Sequence, residues 1–108
     1  GKDFEPYQSW LTKNNIATNF IKICNDDFTA QAFITTDLDD NQITAFHPGA
    51  MSKSHLNTIM DIKENIQLIL ISPDGKEGMI EHAEQSFKWG IPFIFDPGQG
   101  LPMFDKDE

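Results

Sequence analysis

Apolar residues recur along this chain with two periods, and the change of period separates its parts. Tyr7, Trp10, Leu11 and Asn14 fall on one helical stripe, which predicts a helix from residue 5 to about 14, with Pro6 in its first turn and Asn14-Asn15 as its stop. Residues 16 to 24 are rich in strand formers and end at Asn25-Asp26-Asp27, so a strand is expected there. Alternation then takes over. Ala32, Ile34 and Thr36 share one face of a strand, and Ile43 and Ala45 share a face of the next, which makes residues 29 to 47 a hairpin. A four-residue turn at residues 37 to 40 sets Ile34 opposite Ile43 and Ala32 opposite Ala45, so the two small apolar faces coincide. Gln31, Phe33, Gln42, Thr44 and Phe46 take the opposite face.

A short helix over residues 52 to 61, with Leu56, Ile59 and Met60 on its apolar side, leads into a different pattern. Residues 66 to 71 and 91 to 95 are nearly continuous apolar runs, as expected of strands buried on both faces of a parallel sheet. Between them lies a helix capped by Ser72 or Asp74. Pro73 fits its first turn, Asp74 and Glu77 have capping-box spacing, and Gly90 stops it. Met79, Ile80, Ala83 and Phe87 form its buried stripe. The whole, from about 66 to 96, reads as a βαβ unit with a right-handed crossover. Ligands of open α/β sheets bind beyond the carboxyl ends of the strands, where helix N-termini and loop amides converge. Residues 72 to 75 and 96 to 100 occupy that position.

The 108 residues suit one domain, and 17 acidic against 8 basic side chains give a net charge of -9. With no Lys/Arg cluster, the charge balance argues against a nucleic-acid backbone as partner, and none is expected. The single Cys24 cannot form an internal disulfide and reads as a buried thiol. No apolar run approaches the ~18 residues of a membrane span, and the start resembles no signal or transit peptide, so a cytoplasmic chain without membrane contact is expected.

The densest polar feature is Asp37-Leu38-Asp39-Asp40-Asn41. Read as a calcium loop from Asp37, it has Asp39 in place but lacks the central glycine, and its twelfth position is Pro48. A hairpin turn explains it better, because Asp and Asn stabilise turns by bonding their own backbone. His47, His55 and His82 share no ligand spacing and read as structural, and no metal site is expected. Asp96 stands at the mouth of the sheet, where acid-base or phosphate-handling chemistry sits; its alternative reading is the cap of an Asp-Pro-Gly turn.

Several stretches together resemble the PfkB family of carbohydrate and nucleoside kinases, in the ribokinase-like superfamily. GKDFEPYQSWLTKNNI resembles the segment in which Gly-x-Asp opens a helix. TAQAFITTDLDDNQITAFHPGAM resembles the lid hairpin and the Gly-Ala-Asn/Met loop after it. LILISPDGKEGMIEHAEQSFKWGIPFIFDPGQ resembles the following βαβ unit, whose last strand ends in Asp at the cleft. The resemblance covers essentially the whole chain but only a middle third of the family's length. It implies a single partial domain over residues 1 to 108, an α/β, partial ribokinase-like fold made of a parallel βαβ unit plus a β-hairpin lid with lid strands at about 16 to 24 and 29 to 47.

By position, the resemblance places Ala32, Ile34 and Ala45 on the substrate side of the lid. Pro73 stands close to where sugar kinases carry an acidic sugar contact. Asp96 resembles the start of the Asp-x-Asn-x-Arg segment, from which Gln99 and Gly100 depart, and the Asp-Pro-Gly-Gln form leans towards the adenosine kinase-like branch. The family's Asn-x-x-Glu motif and its Gly-Ala-Gly-Asp loop, with the catalytic Asp and oxyanion hole, do not occur. No catalytic residue is therefore expected here. The implied reading is a fragment of an ATP-dependent kinase for a sugar or nucleoside hydroxyl, using ATP and Mg in the parent enzyme, with neither bound to the fragment. Two other readings stand beside it: a non-catalytic module that forms a homodimer through the hairpin, and a small-molecule sensor that uses the two carboxyl-end loops.

Overall fold

The computed structural model describes residues 1–62 and 66–107. They form two compact units, Gly1–Met51 and Ser52–Glu108.

In the first unit, helix α1 spans Glu5–Lys13 with Pro6 in its first turn. Leu11 and the preceding Phe4 are buried, whereas Tyr7 and Trp10 stack on each other at 5.8 Å on the exposed side. The buried stripe is therefore narrower than the periodicity suggests. Asn14 N–H closes on the carbonyls of Trp10 and Leu11, and Asn15 takes a φ of 57°, which Asn tolerates better than most residues. Residues 16 to 24, expected as a lid strand, form turns and irregular backbone instead. Ile16, Phe20, Ile21 and Ile23 are all exposed. Strand propensity is realised only where a neighbouring strand pairs the backbone, and none does so here among the described residues.

The hairpin forms, in a register one residue away from expectation. Strands β1, Gln31–Thr36, and β2, Gln42–His47, are antiparallel with Thr36 opposite Gln42, Ile34 opposite Thr44, Phe33 opposite Ala45 and Ala32 opposite Phe46. The reason lies at the tip. A two-residue loop of either favoured hairpin type would need positive φ at Leu38, which a bulky branched side chain opposes; a three-residue loop needs it only at its third position, where Asp40 adopts 62°. Asp37 N–H then bonds to Asn41 O at 3.0 Å, and Asp40 N–H to Asp37 O at 3.3 Å. A one-residue change of register exchanges faces. Ala32 and Ile34 consequently share their face with Phe46, and Ala45 lies on the other face with Phe33 and Ile43.

Leading into the second unit, 3-10 helices Gly49–Leu56 and Ile59–Asp61 replace the expected short α-helix. Thr58 is extended, with φ -128°, and its hydroxyl caps the second segment by accepting from Met60 N–H at 3.2 Å, so a continuous helix is broken there. Ile59 is buried, while Leu56 and Met60 are about half exposed. The βαβ unit is present: β3, Ile69–Ile71, pairs in parallel with β4, Phe93–Phe95, and α2 spans Lys76–Lys88 between them.

Both strands are shorter than their apolar runs, and the sheet is not buried on both faces. Ile71 is 4% exposed, yet its neighbour Leu70 is 62% and Ile94 53% exposed. The α2 stripe also turns. Met79 and Ser86 are fully buried and Phe87 is 83% exposed. Seven residues return to the same side of a helix within about 20°, whereas the eight from Met79 to Phe87 overshoot by about 80°. The buried Ser86 hydroxyl donates to His82 O at 2.6 Å, so the exchange of Phe for Ser leaves that hydroxyl satisfied. The N-cap is Gly75, not Ser72 or Asp74; the Asp74 carboxylate accepts from Gly75 N–H at 2.8 Å instead.

Candidate functional site

At the carboxyl ends of β3 and β4, the two loops marked by the sequence meet within the second unit. The parallel ladder runs one step beyond β4, since Asp96 N–H donates to Ile71 O at 2.9 Å. This sets the Asp96 side chain at the rim of the sheet. Its Oδ1 accepts from Gly98 N–H at 3.0 Å, a turn-capping bond of the kind expected of Asp-Pro-Gly. Gly98, with φ 49°, lies so close to Pro73 that a β-carbon there would stand 2.6 Å from the proline Cγ. Only glycine fits at that position, for backbone and contact reasons together. Pro73 and Asp96 are thus brought together around Gly98, a contact that an Asp-Pro-Gly motif alone does not reveal.

The rim continues into aromatic and basic groups. Phe104 packs edge-on against Phe95 with ring centroids 5.5 Å apart, and the Lys76 ammonium at the start of α2 stands 5.9 Å from the Phe104 ring. A cation at a helix start beside a carboxylate-bearing loop and an aromatic wall provides groups able to meet a polar ligand with a flat apolar part.

Ala32, Ile34 and Ala45 lie in the first unit and are not all on one side of the hairpin. Ala32 and Ile34 share a face, and Ala45, opposite Phe33, is on the other. All twelve strand residues are exposed. The tip is tied by Asp37: Oδ1 accepts from the N–H groups of Asp39 and Asn41 at 2.8 and 2.9 Å, and Oδ2 from the Asn41 side-chain amide at 2.9 Å. These bonds, the Asn41 side chain first, hold the Asp37 carboxyl below its ordinary value. The aspartates are turn-forming groups here. At the other end of the hairpin, Asp3 accepts from Thr29, a tie that pattern reading missed because the two residues are far apart in sequence.

The three histidines stand apart. His47 lies 3.8 Å from an Asp27 carboxylate oxygen, His55 3.6 Å from one of Glu77, and the His82 ring 3.2 Å from Asn57 O. Among the described residues, no three His, Cys, Asp or Glu side chains are grouped to hold a metal ion. No described helix is long and apolar enough to cross a membrane.

No family model matches this chain. Individual proteins do. It is 29% identical to a nucleoside kinase of Methanocaldococcus jannaschii and 28% identical to one of Methanothermobacter thermautotrophicus, over 99% and 100% of its own length and 35% and 36% of theirs. Among solved structures, the nucleoside kinase of Burkholderia thailandensis in complex with inosine is 48% identical, with a TM-score of 0.89 over 97% of this chain and 34% of that one. The M. jannaschii enzyme, described as an archaeal member of the ribokinase family, matches with a TM-score of 0.71 at 29% identity. The chain spans about a third of the length of each of these relatives. In sequence and fold the chain is similar to about one third of these nucleoside kinases, one of which is described as a member of the ribokinase family.

Proposed function

We propose that this chain is part of an ATP-dependent kinase that phosphorylates a nucleoside hydroxyl, and that it supplies the hairpin lid and one wall of the acceptor cleft. The observation that carries the reading is the likeness, over 97% of the chain, to a nucleoside kinase solved with inosine. A nucleoside is favoured over a free sugar because the likeness is to enzymes named for nucleosides. ATP with Mg supplies the phosphoryl group and neutralises its charge when bound. The part left to these residues is to hold the acceptor and exclude water, since phosphoryl transfer depends on positioning and charge stabilisation.

Ala32 and Ile34 take the acceptor side of the lid. In the observed register Phe46 joins them and provides a flat face suited to a purine, while Ala45 turns away. Pro73 and Asp96 take the rim of the cleft. The base that deprotonates the acceptor and the nucleotide site lie outside this chain, so the chain by itself does not transfer phosphate.

A chimera tests the reading: this chain replaces the matching third of the B. thailandensis enzyme, and inosine phosphorylation is followed with ATP and Mg. An active chimera that prefers inosine to ribose is expected. A folded chimera that binds ATP yet ignores inosine would refute the assignment, and turnover by the chain alone would refute the claim that it lacks the base. A second reading, pairing of two copies through the hairpin, is favoured by the exposure of Phe33 and Ile43 at 61% and 78%. Sedimentation of F33T against the parent chain tests it: a lower association constant supports pairing, and no change refutes it.

A further inference from the structure

The hairpin has two ways to pair, and its tip chooses between them. In the observed register the loop closes between Asp37 and Asn41, and each face carries one Phe, one Ala and one Ile: Phe33, Ala45 and Ile43 on one side, Phe46, Ala32 and Ile34 on the other. Shifted by one residue, with residues 37 to 40 as a four-residue loop, Ile34 would face Ile43 and Ala32 would face Ala45. Loops of that length are also common in hairpins. The shift would gather all four small apolar residues on one face and both phenylalanines on the other.

Burial ordinarily forbids such a slip, because it moves a hydrophobic face into water. Here every strand residue is exposed in the observed register, so burial within the described chain gives little preference. Besides the backbone conformation of the tip, the preference rests on bonds that exist in one register only. The 3.2 Å bond from Gln42 Nε2 to Thr36 Oγ1 spans a direct pair of the observed register. The Asp37 carboxylate supplies the larger set, its three bonds to Asp39 and Asn41. They need Asp37 and Asn41 as the closing pair.

We propose that Asp37 is a positioning residue that selects the register of the hairpin, and thereby decides which side chains stand together on each face. This selection is a property of the hairpin itself. Its consequence for an acceptor, a Phe46, Ala32 and Ile34 face in place of one made of small residues only, rests on the lid reading above.

Cross-linking tests the selection without substrate or activity. In the full chain carrying Cys24→Ser, I34C is combined with either T44C or I43C, the direct partners in the observed and shifted registers. Both arrangements bring the Cα atoms within disulfide reach. With Asp37 in place, the disulfide yield of I34C/T44C is expected to exceed that of I34C/I43C by roughly tenfold. D37A shifts the ratio towards I34C/I43C, and D37N, which keeps an acceptor oxygen for the two N–H groups, restores it. An unchanged ratio in D37A overturns the proposal. Loss of both bridges in D37A overturns it as well, because Asp37 would then hold the hairpin together rather than choose its register.

Discussion

Asp3 and Thr29 are joined twice: one carboxylate oxygen of Asp3 accepts the N–H and the hydroxyl of Thr29, both at 2.8 Å. The backbone bond, followed by the hydroxyl bond, holds the Asp3 carboxyl below its ordinary value of 3.8. Asp37 is lowered likewise, by the Asn41 side chain first and then by backbone N–H groups. A carboxyl lowered on folding stabilises the folded form fully above its unfolded value, and that contribution is lost as pH falls through the lowered one. Both ends of the hairpin should therefore loosen only below pH 3.8. Amide resonances of Thr29 and Asn41 followed from pH 6 to 2 check this. Midpoints below 3.8, abolished by D3N and D37N respectively, are expected, and midpoints at or above it would contradict the assignment.

Gly78, in the first turn of α2, lies against Ser54 so closely that a β-carbon would collide with the serine hydroxyl and stand 2.9 Å from the His55 backbone nitrogen. The serine can rotate, but the backbone cannot yield cheaply. Gly78→Ala adds about 1 kcal/mol of helix propensity against an overpacking cost of about 1–3 kcal/mol. A net loss of up to about 2 kcal/mol in urea unfolding is expected. G78A combined with S54G should recover only part of it, since the contact with His55 N remains; full recovery would place the whole conflict on the serine.

The Gln85 side chain ties α2 to the residues before the parallel sheet. Its Oε1 accepts from Ile59 N–H at 2.8 Å and lies 3.2 Å from the Thr58 hydroxyl. Ile59 is buried, so removing the acceptor strands a donor away from water. Q85L should cost about 1–3 kcal/mol, and Q85E, which keeps acceptor oxygens, distinctly less. Equal losses in the two variants would show that shape rather than the bond matters there.

The elements most legible in the sequence are those whose signal is local. The Pro6 and Asn14-Asn15 boundaries of α1, the Gly90 stop of α2 and the order strand, helix, strand are written in capping and turn chemistry, which acts within a few residues. Faces are less legible. Phe87 and Ser86 exchange places because a helical stripe drifts, and Ala45 changes sides because one residue of loop length flips a strand, so small errors of phase become whole errors of contact. The strand expected at residues 16 to 24 fails for another reason: pairing is a property of neighbours, and composition does not report them. The rim of the candidate site was half visible, with Asp96 and Pro73 marked by position, whereas the fit of Gly98 against Pro73 depends on two loops 25 residues apart.

Leu70 and Ile94 are direct partners in the parallel pair, 62% and 53% exposed on the face opposite Ile71. Among the described residues these two strands pair only with each other, and an apolar face with open edges of this kind promotes association. If the chain is the counterpart of a third of a kinase, the remaining chain covers this stripe, so the same substitutions should act differently in two contexts. In the chain alone, L70T with I94T should lower self-association in sedimentation velocity and leave the unfolding free energy within about 0.5 kcal/mol, as surface changes do. In the chimera with the B. thailandensis enzyme, each should cost about 1.5–3 kcal/mol, the value of a fully buried aliphatic side chain. A small effect in both contexts would mean that the stripe stays open in the longer protein; a large effect in both would mean that Leu70 and Ile94 already support the fold of this chain.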